Sequence, residues 1–504
     1  MNSDSNNTPS GGSFLRKGST FMLLDNLTKS LDPLLVLMCA KFYAGGDWGS
    51  FKYYESIVLL LLRFSTTGMD HAVIWIYSRC RDEADFMRRF SRTLNFALAL
   101  CVVFAAGALA QYKGYLPGGH FAKGMDVPTG EFVLYLAALP AQVAAFLLVQ
   151  ALINKRSLMA GLWVRNIAVP FGIYGLAALL FFTPARGTAL ALGYFFGNMA
   201  GLAVAWIAAM RVFGRSGGWS FSPAIPREVF GYILPISLSG SLMSLANRFD
   251  ILFLAKFAGP LAVEVYSIVQ MVANTMSTLR SSLVNVMLSL FSGGGKGKRM
   301  DSERREHFDY ATWLVMAMQL PFLAFAFLFA KDLLPLLGPT YAVGTVALCV
   351  AMTFTFFNTS IAFTELLLLG MGRSVLVSIA QIAFFILSLS LNLLLIPRYG
   401  TMGAVIAIGT GQFSMYLTCA IGVSMRGGGW FFTGKLVREL ALSIAFFIPA
   451  LLLSFSWPVS HPSLWLRAGV FIASLSAYAA FGWKTYKAWH ERIESHSTPI
   501  KSEP

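Results

Sequence analysis

The sequence predicts an all-α polytopic membrane protein with about fourteen transmembrane helices. They are expected as two six-helix bundles in a pseudo-two-fold repeat, followed by two C-terminal helices. Three observations predict this. First, the 504 residues are 56% hydrophobic and 12% charged, whereas a soluble domain carries about 25% charged residues; the mean hydropathy is +0.64. Second, apolar runs of roughly 20 residues recur along the chain, each long enough to cross a hydrocarbon core of about 30 Å. Third, the chain echoes itself. Ala40-Lys41-Phe42 and Ala255-Lys256-Phe257 lie 215 positions apart. TPARGTALALG at Thr183–Gly193 resembles IPRYGTMGAVIAIG at Ile396–Gly409, with Pro184 and Pro397 213 positions apart. Two matches at nearly one offset argue for two halves. Six spans per half is even, so the halves enter the membrane the same way round, as parallel repeats do.

In order, residues 1–13 are a polar tail, expected disordered and cytoplasmic. The bundle 14–213 is expected to hold spans at Gly18–Tyr43, Phe51–Tyr77, Arg92–Tyr112, Phe132–Ile153, Leu158–Phe182 and Thr188–Phe213. Residues 214–229 read as a cytoplasmic linker. The bundle 230–425 is expected to hold spans at Phe230–Phe257, Val263–Phe291, Phe308–Ala330, Val343–Leu369, Ser374–Ile396 and Thr401–Met425. Its first two spans meet at the turn Gly259-Pro260. Residues 426–487 supply the last two spans, Leu436–Ser456 and Leu464–Lys487, and 488–504 a polar cytoplasmic tail. Pro33, Pro140, Pro170, Pro235, Pro321 and Pro449 fall inside spans and permit kinks.

The chain carries a net charge of +15. With the N-terminus inside, about 25 of the Lys and Arg residues fall on cytoplasmic segments and about 9 on outer ones, so both termini are expected in the cytoplasm. That distribution explains the positive charge without nucleic acid. The five cysteines are scattered without metal-like spacing, and no metal site is expected. Gly293 to Lys298 lacks the Ser/Thr and the preceding strand of a P-loop; it reads as a basic loop. There is no Ser/His/Asp cluster and no exposed carboxylate pair, so a transporter is expected and not an enzyme.

The charges within the spans carry the functional reading, because a charge facing lipid costs a few kcal/mol at mid-span. Arg63 lies about 12 residues into the second span, roughly 18 Å deep. Arg280 lies deep in the eighth. The spacing from Lys41 to Arg63 is 22 residues and from Lys256 to Arg280 24, so the two arginines hold nearly equivalent places. Lys29, Arg165 and Arg248 add positive charge. Together these five predict a cationic central cavity suited to an anionic head group, since guanidinium pairs well with phosphate. Each has a plainer reading. Arg248 can pair with Asp250, and Lys29 with Asp25 or Asp32 at helical spacing, while Arg165 can snorkel to the surface. The acids Asp25, Asp32, Asp70, Asp250 and Glu365 either take a coupling proton or sodium ion or serve as counter-ions, the latter favoured for Asp250. No other cofactor is expected. Asn358, Gln381 and Asn392 read as interhelical hydrogen-bonding groups.

Several stretches resemble the bacterial polysaccharide exporters and flippases. They are AKFYAGGDWGSFKYYESIVLLL from Ala40, NRFDILFLAKFAGPLAVEVYSIV from Asn247, LGPTYAVGTVALCVAMTF from Leu337 and LNLLLIPRYGTMGAVIAIGTG at Leu391–Gly411. The resemblance spans Phe14 to Met425 by order and spacing. It implies membership of the multidrug/oligosaccharidyl-lipid/polysaccharide flippase superfamily, with two six-helix bundles about a central cavity. It also implies translocation of an undecaprenyl-pyrophosphate-linked oligosaccharide across the bacterial inner membrane. The implied partners are that lipid-linked oligosaccharide and the bilayer, with a polysaccharide polymerase and glycosyltransferases as further candidates. From the family only the idea of buried arginines is carried over, onto Arg63, Arg248 and Arg280. In this chain Arg248 is followed by Phe249 and then Asp250, where an adjacent Asp-Arg pair is common in the family. A peptidoglycan-precursor flippase and a cation-coupled drug exporter are the rival readings.

Overall fold

The computed structural model describes residues 28–29, 31–66, 68–77, 79–80, 82–115, 127–155, 157–214, 220, 222, 242–292, 298–425, 434–455 and 463–497. Every regular element among them is helical, and eight stretches are long and apolar enough to cross a membrane. The protein is an all-helical polytopic membrane protein. The expected tail 1–13, the loop 293–297, residues 230–241 of the span from Phe230 to Phe257, and residues 498–504 of the expected tail 488–504 lie outside the described residues; the earlier part of that last tail is helical to Ser497. By contacts the chain forms two units. One comprises Met1–Tyr43 with Ser50–Ser244, the other Ala44–Gly49 with Leu245–Pro504.

In the first unit, helix α1 covers 31–42, followed by α2 (Asp47–Thr66), α3 (Met69–Tyr77), α4 (Glu83–Tyr112) and α5 (Thr129–Asn154). The expected single span Phe51–Tyr77 is therefore two helices, broken at Gly68, whose φ is 71°. The expected span Leu158–Phe182 begins as α6 (Leu158–Leu162). It then loosens into π-helical turns at Trp163–Ala168 and Phe171–Gly175, flanking Pro170, and ends as α7 (Leu176–Leu180). Proline lacks the amide its turn needs, and a π-turn is one way to absorb that loss. Helix α8 (Ala189–Phe213) packs on this span through Gly193, Gly197 and Gly201. A Cβ on Gly197 would lie 2.5 Å from the Ile173 nitrogen. Lipid tails are as apolar as leucine, so such close packing holds membrane helices together where hydrophobic burial cannot.

The second unit resumes at Leu245, within a short turn of helix at 242–246, and continues into α9 (Phe249–Ala258). The expected span Phe230–Phe257 is broken at Asn247-Arg248, where Arg248 takes non-helical φ/ψ of −130° and −16°. Helix α9 stops at Gly259, φ 82°, and α10 (Pro260–Ser292) starts on the next residue. Glycine just past one helix and proline opening the next is the local chemistry the turn requires. Then come α11 (Lys298–Leu337), α12 (Thr345–Ile361), α13 (Phe363–Gly370) and α14 (Ser374–Val423). The 50 residues of α14 would reach about 75 Å if straight, far more than a bilayer core. They turn at Gly400, with φ 52° and ψ −127°. A Cβ on Gly403 would lie 2.4 Å from the Leu395 carbonyl, so the chain doubles back tightly. The two expected spans, Ser374–Ile396 and Thr401–Met425, are the two arms. Polar side chains stitch this unit. Gln319 donates to the Met276 carbonyl at 2.8 Å and accepts from Thr359 at 2.6 Å, while Asn358 donates to the Gly409 carbonyl at 3.1 Å.

Helices α15 (Gly434–Ala445), α16 (Ile448–Phe455) and α17 (Leu464–Ser497) pack on α11. Arg467 fixes α17. It is 4% exposed, donates to the Leu328 carbonyl at 2.8 Å and meets the Asp332 carboxylate at 2.5 Å. Phe471 packs on Phe325 and Phe329 beside it.

Candidate functional site

In the first unit, α2 places Lys52 and Glu55 three residues apart on one face, with nitrogen and oxygen 2.7 Å apart. Both side chains are only 15% exposed. Lys52 also donates to the Tyr174 hydroxyl at 3.3 Å and sits over the rings of Phe51 and Tyr174. The aromatic wall continues through Tyr54, Tyr135 and Tyr194, and Gln142 donates to the Tyr194 hydroxyl at 2.6 Å. Asp32, on the second residue of α1, lies in the field of Lys52 and Glu55. Lys52 is the centre of a largely buried charge cluster, with Asp32 in its field.

Arg63 stands in the last turn of α2, and its Nε donates to Ser244 Oγ at 3.0 Å. Arg165 is exposed on the first π-helical turn, 5.8 Å from the Phe146 ring. Its neighbour Asn166 is buried and donates to Thr28 Oγ1 at 2.9 Å. Lys29 is exposed. The Asn166–Thr28 bond joins the chain neighbours of Lys29 and Arg165. Asp25 and the side chain of Asp70 lie outside the described residues.

In the second unit Asp250 is buried, but its partners differ from the expected one. Among the described residues its carboxylate accepts from the Tyr266 hydroxyl and, at 2.7 Å, from the Ile251 amide. Gln270 donates to that hydroxyl at 2.8 Å. Arg248 contributes only its field, because the break at Asn247-Arg248 turns it off the helix that carries Asp250. Arg280 does gather chemistry around it. Its guanidinium lies 5.8 Å from the Tyr416 ring, and Glu365, hydrogen-bonded to Gln381, lies within its field. The Arg280 Nε is buried without an acceptor among the described residues.

Sequence reading missed Glu264, in the first turns of α10. It is fully buried. Its carboxylate accepts from the amides of Gly45 at 3.2 Å and Gly46 at 2.7 Å and from Thr340 Oγ1 at 3.4 Å, with Tyr341 also hydrogen-bonded to it. Gly45 and Gly46, with φ near 113° and 112°, point two successive amides at one anion, which few other residues could do. Trp48 donates from the same turn to Ser267 at 3.1 Å, and a Cβ on Gly49 would collide with the Pro260 carbonyl. The motif AKFYAGGDWG is therefore a built binding turn. No side-chain pattern marks backbone amides as ligands, so composition could not reveal it.

A family model described as polysaccharide biosynthesis protein matches residues 40–342. The chain belongs to that family. The match takes in the AGGDWG turn, the Lys52–Glu55 pair, Asp250, Glu264 and Arg280. Among solved structures, the chain is similar to lipid II flippase MurJ in an inward closed conformation. The TM-score is 0.72 at 11% identity, covering 92% of this chain and 99% of that one. It also resembles an inward-facing multidrug resistance MATE family transporter of the MOP superfamily, TM-score 0.55 at 15% identity, covering 80% and 98%. A MATE in the bent conformation gives 0.53 at 15%, covering 84% and 95%. A search of curated proteins finds no match. This family member therefore has the polytopic fold shared by those transporters.

Proposed function

We propose that the protein flips an undecaprenyl-pyrophosphate-linked oligosaccharide across the bacterial inner membrane by alternating access. The product would feed synthesis of a surface polysaccharide such as O-antigen, exopolysaccharide or capsule. Family membership supplies the polysaccharide pathway. The observation that carries the reading is Arg280, which keeps a buried N–H without an acceptor among the described residues, beside an aromatic ring and a carboxylate. An arginine held so in a membrane helix has unspent capacity for an anion, and pyrophosphate oxygens match its fork. Arg63, the cation at the nearly equivalent place in the first half, is the second candidate; Arg248, Lys29 and Arg165 lie further down the order. The acids available to a coupling proton or sodium ion are Asp32 in the first unit and Asp250 and Glu365 in the second.

The test is to replace Arg280 with Gln and with Lys at matched membrane levels and to measure lipid-linked oligosaccharide and surface polymer. The reading expects Arg280→Gln to accumulate the lipid-linked intermediate and lose polymer at least tenfold, with Arg280→Lys between. Wild-type polymer in Arg280→Gln would remove the arginine from the pathway. The likeness to MurJ at TM-score 0.72 favours one second reading, a flippase for the peptidoglycan lipid precursor. Depletion separates the two, since that activity predicts cell lysis and the proposed one predicts loss of a surface polymer.

A further inference from the structure

The first unit carries an open apolar groove of about 690 Å³ between α1 and the span that holds the π-helical turns. Its walls are apolar: Leu35, Met38 and Phe42 from α1, and Phe171, Leu179 and Phe182 opposite. Clefts that hold small ligands run about 300–1,000 Å³. From Leu35 to Phe42 is seven residues, so the groove is about 10 Å long, a third of the hydrocarbon core. The π-turn shapes it. Gly172 faces α8, where a Cβ would meet the backbone of Gly197 at 2.5 Å, whereas a Cβ on Gly175 meets only open space. The π-turn Phe171–Gly175 begins and ends on groove-lining residues. Leu179 and Phe182 remain 72% and 78% exposed.

One end of the groove is closed by aromatic rings and a cation. Phe42 stacks on Phe181 at 5.0 Å and meets Phe182 edge-on at 5.9 Å. The Arg186 guanidinium lies 4.3 Å from the Phe181 centroid. Lys41, next to Phe42 and exposed, adds a second positive charge near that end of α1. An apolar trough ending in exposed cations is complementary to a chain that ends in an anion.

We propose that this groove binds one acyl chain of an anionic phospholipid, with its phosphate at Arg186 and Lys41. The leaflet is the one reached by the end of α1, the outer leaflet when the N-terminus is cytoplasmic. Moving a chain from bilayer into an apolar groove gains little, because both surroundings are hydrocarbon. Selectivity therefore belongs to the head group. Two cations near a membrane surface favour an anionic lipid by about fivefold each. A groove of this length covers only part of any lipid chain, so the head group and not the tail sets this site apart from flipping.

Native mass spectrometry of the purified full-length protein tests this, with phosphatidylglycerol and phosphatidylethanolamine of identical chains as probes. Wild type is expected to retain phosphatidylglycerol at least fivefold better. Gly175→Leu, which fills the groove from a helical position with room for a side chain, is expected to lose that adduct without a change in thermal midpoint. Leu179→Trp fills it from further along the same wall and serves if the first variant folds poorly. Arg186→Gln is expected to lower the preference by about fivefold. Equal retention of the two lipids by wild type would overturn the proposal, as would undiminished adducts in both groove-filling variants. Displacement of phosphatidylglycerol by equimolar polyprenyl phosphate, or a dimer seated there in its place, would also overturn it.

Discussion

Two buried carboxylates set what single residues can be expected to do. Glu264 receives backbone amides, and hydrogen bonds to a charged group are worth about 1.5–3 kcal/mol. Glu264→Gln keeps the shape and loses the charge. We expect a loss of about 2 kcal/mol, read as a lower thermal midpoint in detergent; an unchanged midpoint would mean the turn does not depend on the anion. Lys52 and Glu55 behave differently because each is the other's counter-ion. Removing one partner of a buried pair costs about 3–5 kcal/mol, while removing both is often close to neutral. Lys52→Met is therefore expected to destabilise strongly and Lys52→Met with Glu55→Gln to recover most of the loss. A double variant no better than the single one would show that Lys52 acts through Tyr174 and the aromatic wall. Arg280 was legible in sequence because an arginine inside an apolar run is rare. Lys52 was not, since it lies near the end of its run, where a lysine can equally snorkel.

At the scale of elements, the turns were legible wherever glycine and proline wrote them. Gly259-Pro260 and the Pro397–Gly400 stretch both turn where their chemistry requires. The breaks at Gly68, at Asn247-Arg248 and at Ala362 were not legible, because the apolar run continues through each and hydropathy registers only the run. The π-turns escaped for a related reason: Pro170 signals a disturbance but not the form it takes. Gly400 supports a sharper expectation. Its φ and ψ fall where only glycine is comfortable, and such strain costs about 1–3 kcal/mol for other residues. Gly403 adds a steric demand, since its Cβ would press on the Leu395 carbonyl. We expect Gly403→Leu to abolish accumulation of monodisperse protein in fluorescence-detected size exclusion. Gly107→Leu, where a Cβ meets nothing, should be tolerated. Equal profiles for the two would argue that the arms of α14 do not meet as described.

For the whole molecule, the distribution of lysine and arginine makes a topological statement that reporter fusions can check. Green fluorescent protein fused after Pro504 is expected to fluoresce and alkaline phosphatase at the same place to stay inactive. The opposite pattern would reverse every side assignment above. The all-helical membrane class and the family were legible from composition, repeat and motif, because a bilayer leaves few ways to satisfy a backbone. The division into units was not, since residues 44–49 belong with the second unit although the chain on both sides of them belongs to the first. That arrangement bears on biosynthesis. The Gly46 amide and the Glu264 carboxylate it meets are separated by 218 residues. At about 5–20 residues per second, the ribosome delivers the acceptor roughly 10–40 s after the donor. Throughout that interval the nascent turn must be kept from other anions, and the second unit remains one piece short until a segment made long before it is taken up.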